Sequence, residues 1–379
     1  MLRKYFSFGM VLLTGISFPL ILLFTRLEFP EKLVSIIYFQ SIVVFFTFIV
    51  QLGLRAGGRI HLHLGRVKTI DYVTSYIVNN GWKLGGIISL IVILLNISFY
   101  PSFIILQAIL SYLQGLYVAK KNSSMVIYNS ILIFLSIFFA GSCIVFIDSG
   151  SISTASIEIV STLILLLLSF TTNRGYEGVK EKRLFFLLIK RYKGLQYSSY
   201  IVYLTAFIFA QIFVSIGANN LDVISLYADI VLFCGVQVLV IGRVTVFIEG
   251  DIIKNKTYRK YITFYLAWCV MSSYLFSVIY SHFINPNYFY FLFFISLAIL
   301  SKVAFSFCSQ YVNSRARMYI YKLGLCSVSI HLALYLIINT EQSILDVTQL
   351  SFILFCFSGF SLSIMLLSLE KFRNKSIFI

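Results

Sequence analysis

Carboxylates are scarce in this chain: 14 Asp and Glu stand against 30 Lys and Arg, and all charged residues together make up 12% of 379. So little charge cannot clothe a soluble domain that is 59% hydrophobic, with a mean hydropathy of +0.93. Proline is nearly absent, at 4 residues, so few helices are interrupted. The 6 cysteines, Cys143, Cys234, Cys269, Cys308, Cys326 and Cys356, stand singly. Without a CxxC spacing they read as small apolar fillers, and neither a disulfide framework nor a metal site is expected. A phosphate-binding glycine loop, an HExxH pair and a GxSxG elbow are all missing, which excludes ATP hydrolysis within the chain and leaves no catalytic constellation and no cofactor. The one close His pair, His61 and His63 in RIHLHLGR, has an i,i+2 spacing that points the rings apart on a helix; both read as interfacial loop residues.

What is present is a series of apolar segments, each near the roughly 20 residues that a membrane-crossing helix requires. They fall at 5–25, 33–54, 84–100, 102–118, 126–147, 155–170, 197–216, 223–248, 261–284, 288–307, 318–339 and 350–368. Of the 30 basic residues only Arg26 and Lys32 lie on one side of this alternation, which leaves 28 on the other. Lys and Arg beside a span resist translocation, so the basic side is cytoplasmic, both termini included. The expectation is an all-α polytopic membrane protein with about twelve transmembrane helices in two six-helix bundles. The first apolar segment follows Arg3 and Lys4 as in a signal peptide, yet it lacks a cleavage site and runs straight on to another span; it reads as the first helix. A net charge of +16 raises the question of nucleic acid, but the charge is dispersed over seven cytoplasmic segments, as topology demands, and no nucleic-acid motif accompanies it.

The longest polar stretch, 171–196, divides the spans six and six. This gives an N-terminal bundle at 1–175, a cytoplasmic basic amphipathic linker at 176–196 and a C-terminal bundle at 197–379. The linker sequence KEKRLFFLLIKRYKGLQ intersperses cations with Leu, Phe and Ile, a pattern suited to lying along the inner membrane surface. The halves also look like copies: placing Tyr38 on Tyr227 puts Gly53 on Gly242, and each Gly is followed within two residues by Arg55 or Arg243. Six spans per half keep the two copies in the same orientation, a plan used by transporters that rock two bundles about a central site.

Polar residues inside the spans carry the functional argument, because charge in hydrocarbon is costly and normally faces a cavity or a partner. Gln40, Thr47 and Gln51 share one face of the second span, with Arg55 continuing near that stripe. Gln107, Ser111 and Gln114 form a stripe on the fourth, and Gln211 and Ser215 on the seventh. Several such stripes in one protein point to a hydrophilic lumen, although helix-to-helix hydrogen bonding explains any single one. Asp229 and Arg243 share a face of the eighth span about 21 Å apart, too far to pair. Lys302 lies within the tenth span, His331 near the middle of the eleventh, Arg26 at the outer end of the first, and Glu158 near the outer end of the sixth, where it reads as interfacial. Pro19 should kink the first helix. Arg55, Arg243 and Lys302 all lie toward the cytoplasmic half with no intramembrane carboxylate opposing them. A cavity lined by them would attract an anion such as a diphosphate or an acidic sugar.

Two six-span halves, a basic amphipathic connector, a prolyl first helix and the segment QLGLRAGGRI together resemble the polysaccharide flippases of the multidrug/oligosaccharidyl-lipid/polysaccharide exporter superfamily, especially the Wzx-type O-antigen flippases. The resemblance in plan covers nearly the whole chain; its motif content is confined to Gly53, Leu54 and Arg59, with the extra Arg55. It implies a flippase of a bacterial inner membrane, acting in polysaccharide assembly beside other proteins of that process. Its cargo would be a polyprenyl-diphosphate-linked oligosaccharide, moved from inner to outer leaflet by alternating access. By position it implies substrate contacts at Arg55, Arg59 and Arg243, with Arg26, Lys302 and Gln51 as further members, and ion coupling at Asp229 or His331. The chain is short for this family, and its first span lacks the acidic residue that related drug exporters use for coupling. The competing readings are a polysaccharide polymerase or ligase, which would carry a large outer loop absent here, a drug or cation exporter of the same fold, and a structural membrane subunit.

Overall fold

The computed structural model describes residues 2–172 apart from Leu52 and Leu64, then 178–192, 197–217, 224–237, 258–283 and most of 289–300. Arg243, Lys302 and His331, and the expected eleventh and twelfth spans, lie outside the described residues. Every described element is helical: α1 (Leu2–Glu28), a short 3-10 turn (Pro30–Lys32), α2 (Leu33–Val50), α3 (Leu54–His63), α4 (Val67–Leu94), α5 (Pro101–Ala119), α6 (Ser123–Phe146), α7 (Gly150–Thr172), α8 (Gly178–Tyr192), α9 (Tyr197–Gly217), α10 (Ile224–Gln237) and α11 (Tyr258–Phe283). Among the described residues six helices, α1, α2, α4, α5, α6 and α7, are long and apolar enough to cross a membrane. The chain is a multi-pass membrane protein by this measure, and it divides into two compact units, Met1–Lys193 and Gly194–Ile379.

Two boundaries differ from the sequence expectation. The span expected at 33–54 ends at Val50, and the chain turns through Gly53, whose φ of +78° is open to glycine and strained for other residues, into the separate helix α3. The stretch from Arg55 to Lys83, expected as a basic loop before a span at 84–100, is helical for most of its length. α3 ends at a second left-handed glycine, Gly65 with φ +75°, and α4 then runs without interruption from Val67. The charges at Arg66, Lys68, Asp71 and Lys83 masked this helix in a reading based on apolar runs, because a helix can project beyond the hydrocarbon. At 28 residues α4 is about 42 Å long against an apolar thickness of about 30 Å. α8, expected as a linker between units, packs with the first one, against α3 and α4. α1 continues through Pro19 over its whole length.

α5 is the hub of the first unit. Within its span 78% of residues are buried, against 33% in α2 and in α4, and it touches α2, α3, α4, α6 and α7. Its polar residues account for the contacts. Gln107 donates to Ser136 Oγ on α6 at 2.8 Å, Gln114 to Ser130 Oγ at 2.9 Å and to Thr14 Oγ1 of α1 at 3.2 Å, and Ser111 accepts from Gln51 of α2 at 3.0 Å. Asn129 of α6 donates back to the Leu110 carbonyl at 2.6 Å. Between helices in hydrocarbon, where burying apolar surface supplies little drive, such bonds and close small-residue contacts provide the specificity. At the far end of the bundle from α3, Lys32 pairs with Asp148 at 3.0 Å, which ties the α1–α2 turn to the α6–α7 turn beside a cluster of Phe24, Phe29 and Phe146. In the second unit α10 and α11 run antiparallel. Asp229 lies by Tyr280, Phe233 stacks on Phe276 at 4.1 Å, and Trp268 donates to Gln237 at 2.8 Å. Cys143, Cys234 and Cys269 are buried free thiols, in keeping with their reading as fillers.

The α1–α6 contact is close because Gly141 has no side chain: a Cβ there would fall 2.6 Å from Ile21 Cδ1 and 2.9 Å from its Cγ2. Gly141→Leu should therefore destabilise the first unit by about 1–3 kcal/mol through overpacking, read as a lowered melting temperature in detergent, with Gly141→Ala affected less.

Candidate functional site

Among the described residues, the cations nominated by the sequence separate into two groups. Arg55 and Arg59 lie one turn apart on α3, while Arg26 sits in the last turn of α1, at the opposite end of the bundle. α3 is amphipathic, and the chain bends it across α5 where α5 offers Gly115 in place of a side chain. A Cβ on Gly115 would lie 3.4 Å from Arg55 Cγ, 3.6 Å from Arg55 Nε and 3.8 Å from Arg59 Cδ. The two side chains thus cross one glycine notch. Arg59 is buried and Arg55 half-buried. Gln51, buried at the end of α2, reaches α5 one turn away at Ser111. The structure therefore brings Gln51, Arg55 and Arg59 together around the last turns of α5, at the end of the bundle that also carries Arg66, Lys68, Lys120 and Lys121. Lys120 pairs with Asp71 at 2.7 Å.

The polar stripes have another use than the expected lumen. The α2 stripe faces the α5 stripe: Thr47 donates to the Ile104 carbonyl at 3.5 Å and Gln51 to Ser111, while Gln107 and Gln114 are taken up by α6 and α1. In this conformation they join helices. Gln40, the first of the α2 stripe, is the exception. Its Oε1 is buried with no hydrogen-bond donor among the described residues.

Two functional elements escaped the sequence reading. The first is Glu158, expected at the interface and found fully buried on α7. α5 begins inside the bundle, with Pro101 at its first position, so that its opening N–H groups have no water to bond. Glu158 supplies both acceptors: Ser102 N–H reaches Oε2 at 2.9 Å and Phe103 N–H reaches Oε1 at 3.2 Å, with the Ser89 hydroxyl of α4 also bonded to Oε2. Ser102 bonds in turn to Thr162 at 2.9 Å. The carboxyl also faces the positive end of the α5 dipole. No local sequence signal marks this contact, since 56 residues separate Glu158 from Ser102.

The second is the seat of α8. A Cβ on Gly57 would lie 2.6 Å from Tyr192 Cδ2 and 2.8 Å from its Cβ, so only glycine admits the Tyr192 ring against α3. The ring is wholly buried, and its hydroxyl bonds to His61 Nδ1 at 2.6 Å. His61, expected in a loop, is thus a buried helical residue. Burial above all, then the nearby Arg66 and Arg191 charges, holds its pKa down from 6.5 to about 4, so the ring is neutral at physiological pH. Burial pushes the Tyr192 phenol up, so the bond joins a neutral hydroxyl to a neutral ring.

In the second unit Asp229 is buried and accepts from the Tyr280 hydroxyl at 2.7 Å. Among the described residues no group of His, Cys, Asp and Glu is arranged to hold a metal. Comparison with protein-family models, with curated proteins and with solved structures gives no match.

Glu158→Ala should lower stability by about 1–3 kcal/mol by orphaning buried N–H groups, and Glu158→Gln by less, since one acceptor survives; thermal unfolding in detergent reads both. The His61 latch has a defined pH window. A base whose folded pKa lies below its unfolded value binds fewer protons when folded, so its contribution is complete above pH 6.5 and is lost as pH falls toward 4. The melting temperature of the wild type should drop over that interval, and that of His61→Gln should drop less.

Proposed function

We propose that this chain is a membrane flippase that carries a polyprenyl-diphosphate-linked oligosaccharide, such as an O-antigen or capsule repeat unit, from the inner to the outer leaflet of a bacterial cytoplasmic membrane. The observation that supports this reading most is the Arg55 and Arg59 pair, laid across the Gly115 notch of the most buried helix at the basic end of the bundle. A diphosphate cannot enter hydrocarbon without compensating charge, and a fixed pair of guanidiniums matches its oxygens bidentately. Gln51 stands next to the pair as a neutral donor for a sugar hydroxyl or phosphate oxygen. The buried state of Arg59 fits a bundle closed over the site, to be opened when the two units exchange their access. Arg243 and Lys302 would supply the matching cations from the second half, and Arg26 would meet the cargo at the exit side. No bond is made or broken in the lipid-linked sugar; the chain acts as a transporter and not as an enzyme.

Asp229 favours a second reading, a drug or cation exporter of the same plan. A buried carboxyl that accepts from a tyrosine hydroxyl can bind a proton or cation during transport. Under the flippase reading Asp229 and His331 are the coupling residues.

The assay is surface glycan in a deletion strain of the source organism, rescued with wild type or with Arg55→Ala, Arg59→Ala or Arg243→Ala at matched membrane levels. Loss of a charged contact to phosphate costs about 1.5–3 kcal/mol, so each variant should restore glycan about tenfold or more below wild type, with lipid-linked units accumulating on the cytoplasmic side. Gly115→Leu should reproduce the defect with both arginines retained. Surface glycan untouched by the deletion would overturn the reading, and single unpolymerised units at the surface would point to a polymerase.

A further inference from the structure

α8 has two faces, and only one is occupied by the bundle. Toward α3 and α4 it turns Glu181, Phe185, Leu188 and Tyr192: Tyr192 fills the Gly57 notch, and Phe185 meets Tyr76 of α4 with ring centres 4.8 Å apart. Away from the bundle it presents Lys182, Arg183, Phe186, Leu187, Lys190 and Arg191, all exposed. Their spacing at i, i+4 and i, i+8 makes one continuous face in which four cations surround two large apolar side chains, Phe186 at 54% and Leu187 at 53% exposure.

The level of this face follows from α4. About 12 Å of that helix exceeds the apolar thickness of a bilayer, and the uncharged run from Leu84 to Leu94 places the excess at the Val67 end, where Lys68 and Asp71 lie. Tyr76 and Phe185 therefore meet close to the headgroup region. A helix lying there with cations and apolar side chains interleaved matches a leaflet surface, which offers anionic phosphates for the one and acyl chains for the other. A soluble protein partner would match the charge but would leave no reason for the bundle to hold α8 at headgroup depth.

We propose that α8 is an anionic-phospholipid clamp: Lys182, Arg183, Lys190 and Arg191 hold acidic headgroups, Phe186 and Leu187 enter between the acyl chains, and Tyr192 fixes α3 to the docked helix. The transmission to α3 is direct. Tyr192 is packed against Gly57 and bonded to His61, and Arg55 and Arg59 lie on the same ten-residue helix. Each adjacent Lys or Arg strengthens association with an anionic leaflet by about fivefold, so four together give a strong lipid preference. The inference stands whether or not the transport reading does.

The test uses the full chain in vesicles, with Trp82 and Trp268 changed to Phe and a single reporter introduced as Phe186→Trp, or as Leu187→Trp if the first variant misfolds. Brominated phosphatidylglycerol should quench the reporter at least twofold more than brominated phosphatidylcholine at equal mole fraction. Lys182→Gln, Arg183→Gln, Lys190→Gln and Arg191→Gln together should abolish the difference. Amide hydrogen exchange in α3 should be slower in phosphatidylglycerol vesicles than in phosphatidylcholine, and Tyr192→Ala should remove that protection while leaving the lipid preference of the reporter intact. Equal quenching by the two lipids, or quenching by neither, overturns the docking. A lipid preference with unchanged exchange in α3 overturns the clamp.

Discussion

A helix that begins out of reach of water must find acceptors for its first N–H groups, and in this protein that demand falls on α5. The helix starts inside the bundle at Pro101, and Glu158 of α7 takes the Ser102 and Phe103 amides while Ser89 of α4 holds the same carboxyl. Three helices are thereby fixed around one polar knot. From that anchor the rest of α5 is set in depth and rotation, which brings Gln107, Ser111 and Gln114 opposite their partners on α6, α2 and α1. A shift of one residue along α5 would turn these groups through about 100°, away from their partners and into apolar neighbours.

The same placement governs the other end. Gly115 lies one residue beyond Gln114, and its bare surface is what allows α3 to cross with Arg55 and Arg59 against the helix. α3 is independent of α2 because Gly53 turns the chain in a conformation other residues avoid, and it is held from outside by Tyr192 in the Gly57 notch. Two glycine notches thus hold this ten-residue helix, Gly115 of α5 receiving its arginines and its own Gly57 receiving Tyr192 of α8. The arginine pair lies against α5 at Gly115, while Tyr192 packs on the helix that carries it at Gly57.

This arrangement bears on transport in a particular way. Hydrogen bonds between α2, α5 and α6 close the first unit upon itself, so the polar stripes do not describe an open lumen in this conformation. Arg55 and Arg59 lie at one end of this unit and Arg26 at the other. In the second unit Asp229 and Tyr280 form a buried polar pair between α10 and α11.

Apolar runs and the bias of Lys and Arg were enough to place six spans in the first 172 residues, because lipid imposes length and charge rules on each segment separately. The stripe on α5 was also legible, as three polar residues at helical spacing, and so was the segment carrying Arg55 and Arg59. The extent of α4 was not, since the part projecting beyond the hydrocarbon follows aqueous composition rules and looks like a loop. Glu158, His61 and Tyr192 were misread or passed over for a different reason. Each takes its meaning from a residue 56 or 131 positions away, and one carboxyl near a helix end looks the same whether it faces headgroups or a buried helix terminus. The sequence by itself determined that this chain crosses a membrane repeatedly and where its cations concentrate, because those properties are local. Only the tertiary structure decided which polar groups join helices, because hydrogen bonding in hydrocarbon is a property of pairs.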